Sequence, residues 1–530
     1  MRPEASVATR WRGGFLAAFV LLLALKVAIA ATLAPFGDEA FYWQESRHLA
    51  WGYSDLPPLT AWLIRFGEAV AGHGVFGMRW PFLLLGSALP WLLAAFAREA
   101  FGDRAAAWQA ALLCLILPLA GTLGVMALPD VPLTVAGMLA CWMLLRAMRS
   151  DRLRDWSVLG LALALCWLTH YRAAMFVFAG LAVLLFTPRG RALWRQRGLW
   201  IALALMALGL LPMLVSNWQL HGAGVSFQLW QRNPWRFHAD ALVQPLEQAL
   251  ACTPLLYGWL LWAAWRSVRA RRLAPWDVIG MFGASFIVLY FGLGLFADDT
   301  RFRAHWPLPG YLPLLAALPL LWRPLHGRLV RLGIVVALVL AVAMTGIGLG
   351  YLALAASPDG ASLLDRFKAF PANFVGWRES AAATRRALAR WPGVLVADNF
   401  MLAAELDFQY DGKRPIYVLD NPLNVEHGRA PQLAYWRRDG QALRADHPGA
   451  TVLLVAEPTA LRLRQRAGWQ ASLCTRLDAL APLGTIELYG GRKRFEFYRA
   501  RVPVEAGTKS HACVTPPPVP WPATSGVAGS

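Results

Sequence analysis

Charge is scarce in this sequence. Only 16% of its 530 residues are Asp, Glu, Lys or Arg, against 57% that are hydrophobic, and the mean hydropathy is positive. That composition excludes an ordinary water-soluble globule, whose core cannot hide so much apolar surface. Clustered cysteine is also lacking: the six cysteines are dispersed and form no CxxC, which removes the usual metal-site patterns. No internal repeat is visible, and Lys26 is the sole strong charge well inside an apolar run. Both absences weigh against a membrane transporter, where repeated halves and ionisable residues mark a path near the bilayer midplane.

What the chain has instead is a series of apolar runs of bilayer-crossing length, near 13–35, 79–98, 105–127, 130–148, 156–171, 172–187, 198–216, 246–265, 276–297, 306–322 and 329–355. Lipid offers backbone amides no partner, so such runs predict helices, here about 11 and at most 13. The first follows Arg2, Arg10 and Arg12 and is read as a retained helix, not a cleaved signal peptide.

The net charge of +19 is distributed by loop, not gathered in a nucleic-acid-binding patch. Alternate loops hold twenty arginines: 2, 10 and 12; 98 and 104; 146, 149, 152 and 154; 189, 191, 195 and 197; 266, 269, 271 and 272; 323, 328 and 331. The opposite loops hold about eight, together with most of the acids of the membrane portion. The positive-inside rule then sets the N-terminus in the cytoplasm and the acidic loops outside. With an odd number of helices, everything after Tyr351 is also outside, in the periplasm of a bacterial inner membrane.

The expected organisation is a membrane domain over 1–356 with an outward first loop at 36–78, an α/β domain over 357–505, and a disordered Pro/Ser/Gly-rich tail over 506–530. "GVLVADN", "RPIYVLD", "ATVLLVAE" and "TIELY" read as short strands, with "ESAAATRRALARW" and "PTALRLRQRAGW" as helices between them. Cys114, Cys141, Cys166 and Cys252 fall in or beside membrane helices and read as small apolar filler. Cys474 and Cys513 both fall in the outward domain, where an oxidising compartment permits a disulfide.

Candidate chemistry lies in the outward loops. "GDEAFYWQESRHLAWGYSDLPPLTAWL" places Asp38, Glu39 and Asp55 among aromatic residues just beyond the first span. Asp38 also suits a helix N-cap, although Phe41 stands where a capping box would want Glu or Gln. Asp55 reads equally as a solvated loop residue, and Pro58 as a first-turn proline. Asp130 of "LPD" stands at the outer mouth of a helix, and His170, Tyr171 and Arg172 at an outward hairpin. Arg301, Arg303 and His305 precede another apolar helix. Outward cations there either snorkel to lipid headgroups or meet a phosphate.

These residues carry a resemblance. "DEAFYWQESRHLAWGYSDLPPLTAWL", the stretch from "MRWPFLLLG" through "MALPDVPLTVAG", then "AHWPLPGYLPLL" and "DNFMLAAELDFQY" resemble the GT-C membrane glycosyltransferases. The similarity is to the branch of the dolichyl-phosphate-mannose protein mannosyltransferases and the bacterial lipid A aminoarabinose (ArnT-like) transferase. It implies a polytopic GT-C fold with an extracytoplasmic α/β domain, a polyprenyl-phosphate sugar donor, and a lipid A, lipopolysaccharide or other glycolipid acceptor. It places Asp38 and Glu39 at the catalytic centre, with Asp130 near it.

Chemically, Asp38 would take the acceptor's proton and stabilise an oxocarbenium-like ring, inverting the anomeric carbon. Arg301, Arg303 and His305, then Arg172 and Tyr171, would hold the departing phosphate. No cofactor is called for, and a divalent metal stays open. A protein O-glycosyltransferase of the same class is the alternative, followed by a transporter or a non-catalytic envelope assembly protein.

Overall fold

The computed structural model describes residues 3–296 and 304–504, with side chains from Val7 onward. Each of the eleven apolar runs contains helix, but the helices differ in length. Six are long and apolar enough to cross a bilayer alone: Val7–Thr32, Val75–Phe101, Asp130–Ser150, Arg197–Gln219, Trp276–Gly294 and Arg328–Ala355. Ala173–Phe186 and Pro188–Arg195, bent by 92° at their junction, make a seventh if taken as one span. Arg104–Ile116 and Leu308–Trp322 are shorter apolar helices.

The run expected over 105–127 stops at Ile116 for a local reason. Leu117 precedes Pro118 and is held extended, with φ −67° and ψ 117°, as the proline ring requires of the residue before it. The chain that follows is largely irregular up to Asp130, and its carbonyls need partners that a bilayer does not supply. Lys26 is one of them: its Nζ donates to the Leu123 carbonyl at 2.6 Å. The lone charge within a span thus serves a broken helix.

The chain divides into two compact units, the first formed by residues up to Thr32 with Ala50–Ala353, the second by Leu33–Leu49 with the residues from Leu354 onward. In the first, the arginine-rich loops gather at one end of the bundle. Arg146 and Arg149 pair with Glu99, Arg189 donates to Asp277 at 2.8 Å and to the Met148 carbonyl at 3.2 Å, and Arg323 pairs with Asp103. Loops that alternate in sequence therefore share a side, as the charge pattern predicts.

The second unit is built on a five-stranded sheet of β1 (Val394–Ala397), β2 (Ile416–Val418), β3 (Thr451–Ala456), β4 (Asp478–Leu488) and β5 (Lys493–Arg501). Their order is β2-β1-β3-β5-β4, parallel across β2-β1-β3 and antiparallel at β5. Four strands and helices Trp377–Arg390 and Leu463–Leu473 lie where the sequence predicts them. The fifth strand, "KRFEFYRAR", escapes that reading because its apolar face is only Phe495 and Phe497, both fully buried.

One boundary differs from expectation. The outward loop assigned to the membrane domain splits at Leu49, and its first part joins the second unit. Ala40 and Phe41 belong to the same buried core as Leu395, Leu454 and Phe497. A contact between residues so far apart in sequence has no local signature. Cys114, Cys141, Cys166 and Cys252 are free and buried. Cys474 is disulfide-bonded, and its expected partner Cys513 lies outside the described residues.

Candidate functional site

The predicted residues fall into two clusters, one in each unit. In the second unit, helix Gly37–Arg47 carries Asp38 and Glu39 in its first turn. Its N-cap is Phe36, not Asp38. The capping carboxylate is Glu39, three residues on, whose Oε2 accepts from the Phe36 amide at 3.1 Å. The capping-box spacing is therefore present two residues before where the sequence was read.

This helix lies on Phe400–Gln409, the helix of the "DNFMLAAELDFQY" stretch, whose N-cap is Asn399. Phe41 meets Phe400 edge-on at 5.5 Å and Trp43 meets Phe408 at 5.3 Å. The Gln44 amide donates to Asp407 at 2.9 Å. A methyl group at Gly37 would stand 3.0 Å from the Met401 side chain, so a glycine allows the close approach. Two stretches that carry the family resemblance are thus one packed pair.

Asp38 remains about a quarter exposed. Its Oδ1 accepts from Arg429 Nη2 at 3.2 Å and stands 3.8 Å from His427 Nδ1. Arg429 is almost fully buried, lies over the rings of Phe41 at 4.3 Å and Tyr42 at 5.0 Å, and has its other terminal nitrogen 3.6 Å from Glu45. Neither Arg429 nor His427 stands out in the sequence, where both belong to an unremarked polar stretch after β2.

The first unit holds the other cluster. Asp130 opens helix Asp130–Ser150, where a carboxylate is favoured by the helix dipole. Its Oδ1 accepts from Arg172 Nη2 at 2.7 Å and is 3.2 Å from His305 Nε2. Arg172 lies over Trp306 at 5.2 Å, and Arg232 over the same ring at 4.9 Å. The Arg172 amide donates to His170 Nδ1 at 3.0 Å. Tyr171 accepts at its hydroxyl from Asn217 at 2.8 Å, and Asp55 is close enough to act on Tyr171 electrostatically.

Asp55 is buried, not solvated, and its backbone carbonyl accepts from Gln228 at 3.1 Å. Pro58 is the N-cap of helix Leu59–Ala71 instead of its first residue. Four segments distant in sequence therefore bring Asp55, Asp130, Tyr171, Arg172 and His305 to one neighbourhood. Arg232 and Trp306 join them, and neither was singled out. Stacked cations are legible in sequence only when the aromatic partner is adjacent, and here it is 74 positions away. Arg301 and Arg303 lie outside the described residues. Among the described residues, no three His, Cys, Asp or Glu side chains are grouped to hold a metal ion.

Residues 55–216 match the family described as dolichyl-phosphate-mannose-protein mannosyltransferase. The lipid A galacturonosyltransferase RgtD of Rhizobium johnstonii is 28% identical over 284 residues, covering 52% of this chain and 58% of that protein. The chain thus aligns with less than two thirds of that relative's length. Among solved structures, ArnT from Cupriavidus metallidurans bound to undecaprenyl phosphate aligns over 92% of this chain and 98% of its own, with a TM-score of 0.65 and 16% identity. The apo form of that protein gives 0.62 at 17% identity, over 93% and 98%.

Proposed function

We propose that this chain, a membrane protein with the fold of the GT-C glycosyltransferases and the ArnT-like likeness its sequence predicted, moves a sugar from a polyprenyl-phosphate donor to lipid A. The observation that carries the reading is the grouping of cations around Trp306. Arg172 and Arg232 lie against one indole, and Arg172 and His305 meet the Asp130 carboxylate. A phosphate monoester is the anion that the planar fork of a guanidinium fits. ArnT with undecaprenyl phosphate bound and the lipid A activity of RgtD support the same pairing of donor and acceptor.

In this scheme the acceptor hydroxyl loses its proton to the Asp38 carboxylate as its oxygen bonds the anomeric carbon. The bond from that carbon to the phosphate oxygen breaks on the opposite face, so the configuration inverts. The leaving polyprenyl phosphate carries away the negative charge, which Arg172, Arg232 and His305 stabilise. Removing one donor preorganised at a developing anion costs about 3 to 4 kcal/mol. Glu39 supports Asp38 by fixing the start of its helix. Asp55 and Tyr171 line the same neighbourhood as the phosphate cluster, and Arg301 and Arg303, four and two residues before His305, are further phosphate ligands. The arginine-rich end faces the cytoplasm of a bacterial inner membrane and the chemistry faces the periplasm, as the positive-inside rule requires.

The test is a panel: purified full-length protein, lipid A, and synthetic undecaprenyl phosphates bearing galacturonic acid or 4-amino-arabinose, with products read by mass spectrometry. Transfer of either sugar to lipid A supports the reading. Transfer to a Ser/Thr peptide and never to lipid A would favour the protein O-glycosyltransferase alternative.

A further inference from the structure

The second unit holds Asp38, and we propose that Arg429 is the positioning residue of Asp38, so that the α/β unit is the scaffold of the catalytic helix. This rests on the reading of Asp38 as the base.

The placement is built from the sheet upward. β2 ends at Val418, and Asn421 then caps the short turn of helix Pro422–Glu426, accepting from the Leu423 amide at 3.0 Å. Asn424 accepts at Oδ1 from the Phe400 amide at 2.9 Å and donates to the Leu419 carbonyl at 2.8 Å, tying this loop to the start of Phe400–Gln409. Gly428, at φ +71°, makes the left-handed turn that brings the chain back, a conformation that costs a residue with a Cβ. The Arg429 amide then donates to the Asn424 carbonyl at 2.7 Å. The backbone of Arg429 is thereby set by Asn424, the same asparagine that holds the start of the partner helix.

Its guanidinium is fixed as firmly. It lies over three rings, Phe41, Tyr42 and Phe400, and lies between Asp38 and Glu45, seven residues apart on one helix. Seven residues is two helical turns, so both carboxylates face the same side. A planar fork reaches both; a single ammonium cannot. His427, tilted against Phe400 at 5.2 Å, also stands near Asp38. The Asp38 carboxylate is about a quarter exposed while the Arg429 guanidinium that aims it is buried, which is the arrangement a reacting group requires.

Replacing Arg429 alone removes a positive charge from beside the buried Glu45 carboxylate and destabilises the unit. The informative variant is therefore Arg429→Gln combined with Glu45→Gln, in the full-length protein, assayed with the more active donor of the panel above and lipid A. The expected result is a melting temperature close to that of wild type, a donor KM within about twofold, and a kcat lowered roughly 10- to 100-fold, the scale on which a displaced reacting group loses rate. Arg429→Lys, which keeps the charge but not the planar fork, should recover only part of that loss. A double variant turning over at the wild-type rate, or one whose loss tracks melting temperature and disappears on cooling, overturns the proposal. Asp38→Asn run alongside separates the two readings. If it is inactive while the double variant is fully active, only the positioning role fails; if it is fully active, the base assignment itself fails.

Discussion

Arg172 and Arg429 are held in the same manner and to opposite effect. Each lies across an aromatic face with a carboxylate at one terminal nitrogen, at 2.7 Å from Asp130 in the first unit and 3.2 Å from Asp38 in the second. Around Arg172 a second arginine shares the ring and a histidine shares the carboxylate. Around Arg429 a single guanidinium serves two carboxylates, Asp38 and Glu45. The contact is alike, and the grouping differs: cations gather on one carboxylate in the first unit, carboxylates on one cation in the second. One cluster suits capture of an anion, the other suits orientation of one carboxylate by means of another charge.

The largest expected effect tests the carboxylate side. Asp38→Asn should lower kcat by roughly 10²- to 10⁴-fold, the range of a lost general base, with little change in donor affinity. On the cation side, Arg232→Gln leaves the Arg172–Asp130 pair in place and removes the second guanidinium on Trp306. It should weaken binding of undecaprenyl phosphate roughly 10- to 100-fold, as loss of a hydrogen bond to a charged group does, measured by titration of the purified protein. Should Arg232→Gln bind as wild type, the contrast between the clusters is lost.

A third carboxylate sharpens the comparison because no arginine holds it. Asp398, at the end of β1, accepts from Asn399 at 2.7 Å and from Trp469 at 3.2 Å. Burial first, and the Glu457 charge second, push it up to about 7. Its folded pKa lies above that of the unfolded chain, so protonation favours the fold. The stability it contributes is complete below about pH 4 and is lost as pH rises to about 7, by roughly 2 to 4 kcal/mol. Thermal unfolding at pH 5 and pH 8 should therefore show wild type losing ground to Asp398→Asn at the higher pH. An equal gap at both would contradict the assignment. The smallest effect is expected at Glu39: Glu39→Gln keeps an acceptor for the Phe36 amide, so turnover should fall only a few-fold. A loss matching that of Asp38→Asn would make Glu39 a reacting group instead of a cap.

The limits of the sequence follow the same division. Apolar runs marked the helices because lipid imposes one solution on the backbone, and alternate arginines marked the two ends because translocation sorts charge by side. Leu117-Pro118 broke one span where hydropathy alone saw continuity. Asp38, Asp130 and Arg172 were legible as residues from their placement at helix mouths and from the family likeness. Their partners were not. Arg429 lies 391 positions from Asp38 in a stretch whose local pattern says only loop, and Trp306 lies 134 from Arg172 at the start of an apolar run, where nothing local points to a cation. The transfer of Leu33–Leu49 to the second unit was hidden for the same reason, since "DEAFYWQES" reads as an interfacial helix until Phe400 and Phe408 are seen against it.

The most direct test of the central claim pairs two readings on one variant: binding of undecaprenyl phosphate and turnover onto lipid A, both for Asp38→Asn in the full-length protein. Binding within about twofold of wild type with turnover at least roughly 100-fold lower is the expected outcome, since the cation cluster is intact and the base is gone. Turnover at the wild-type rate would contradict it.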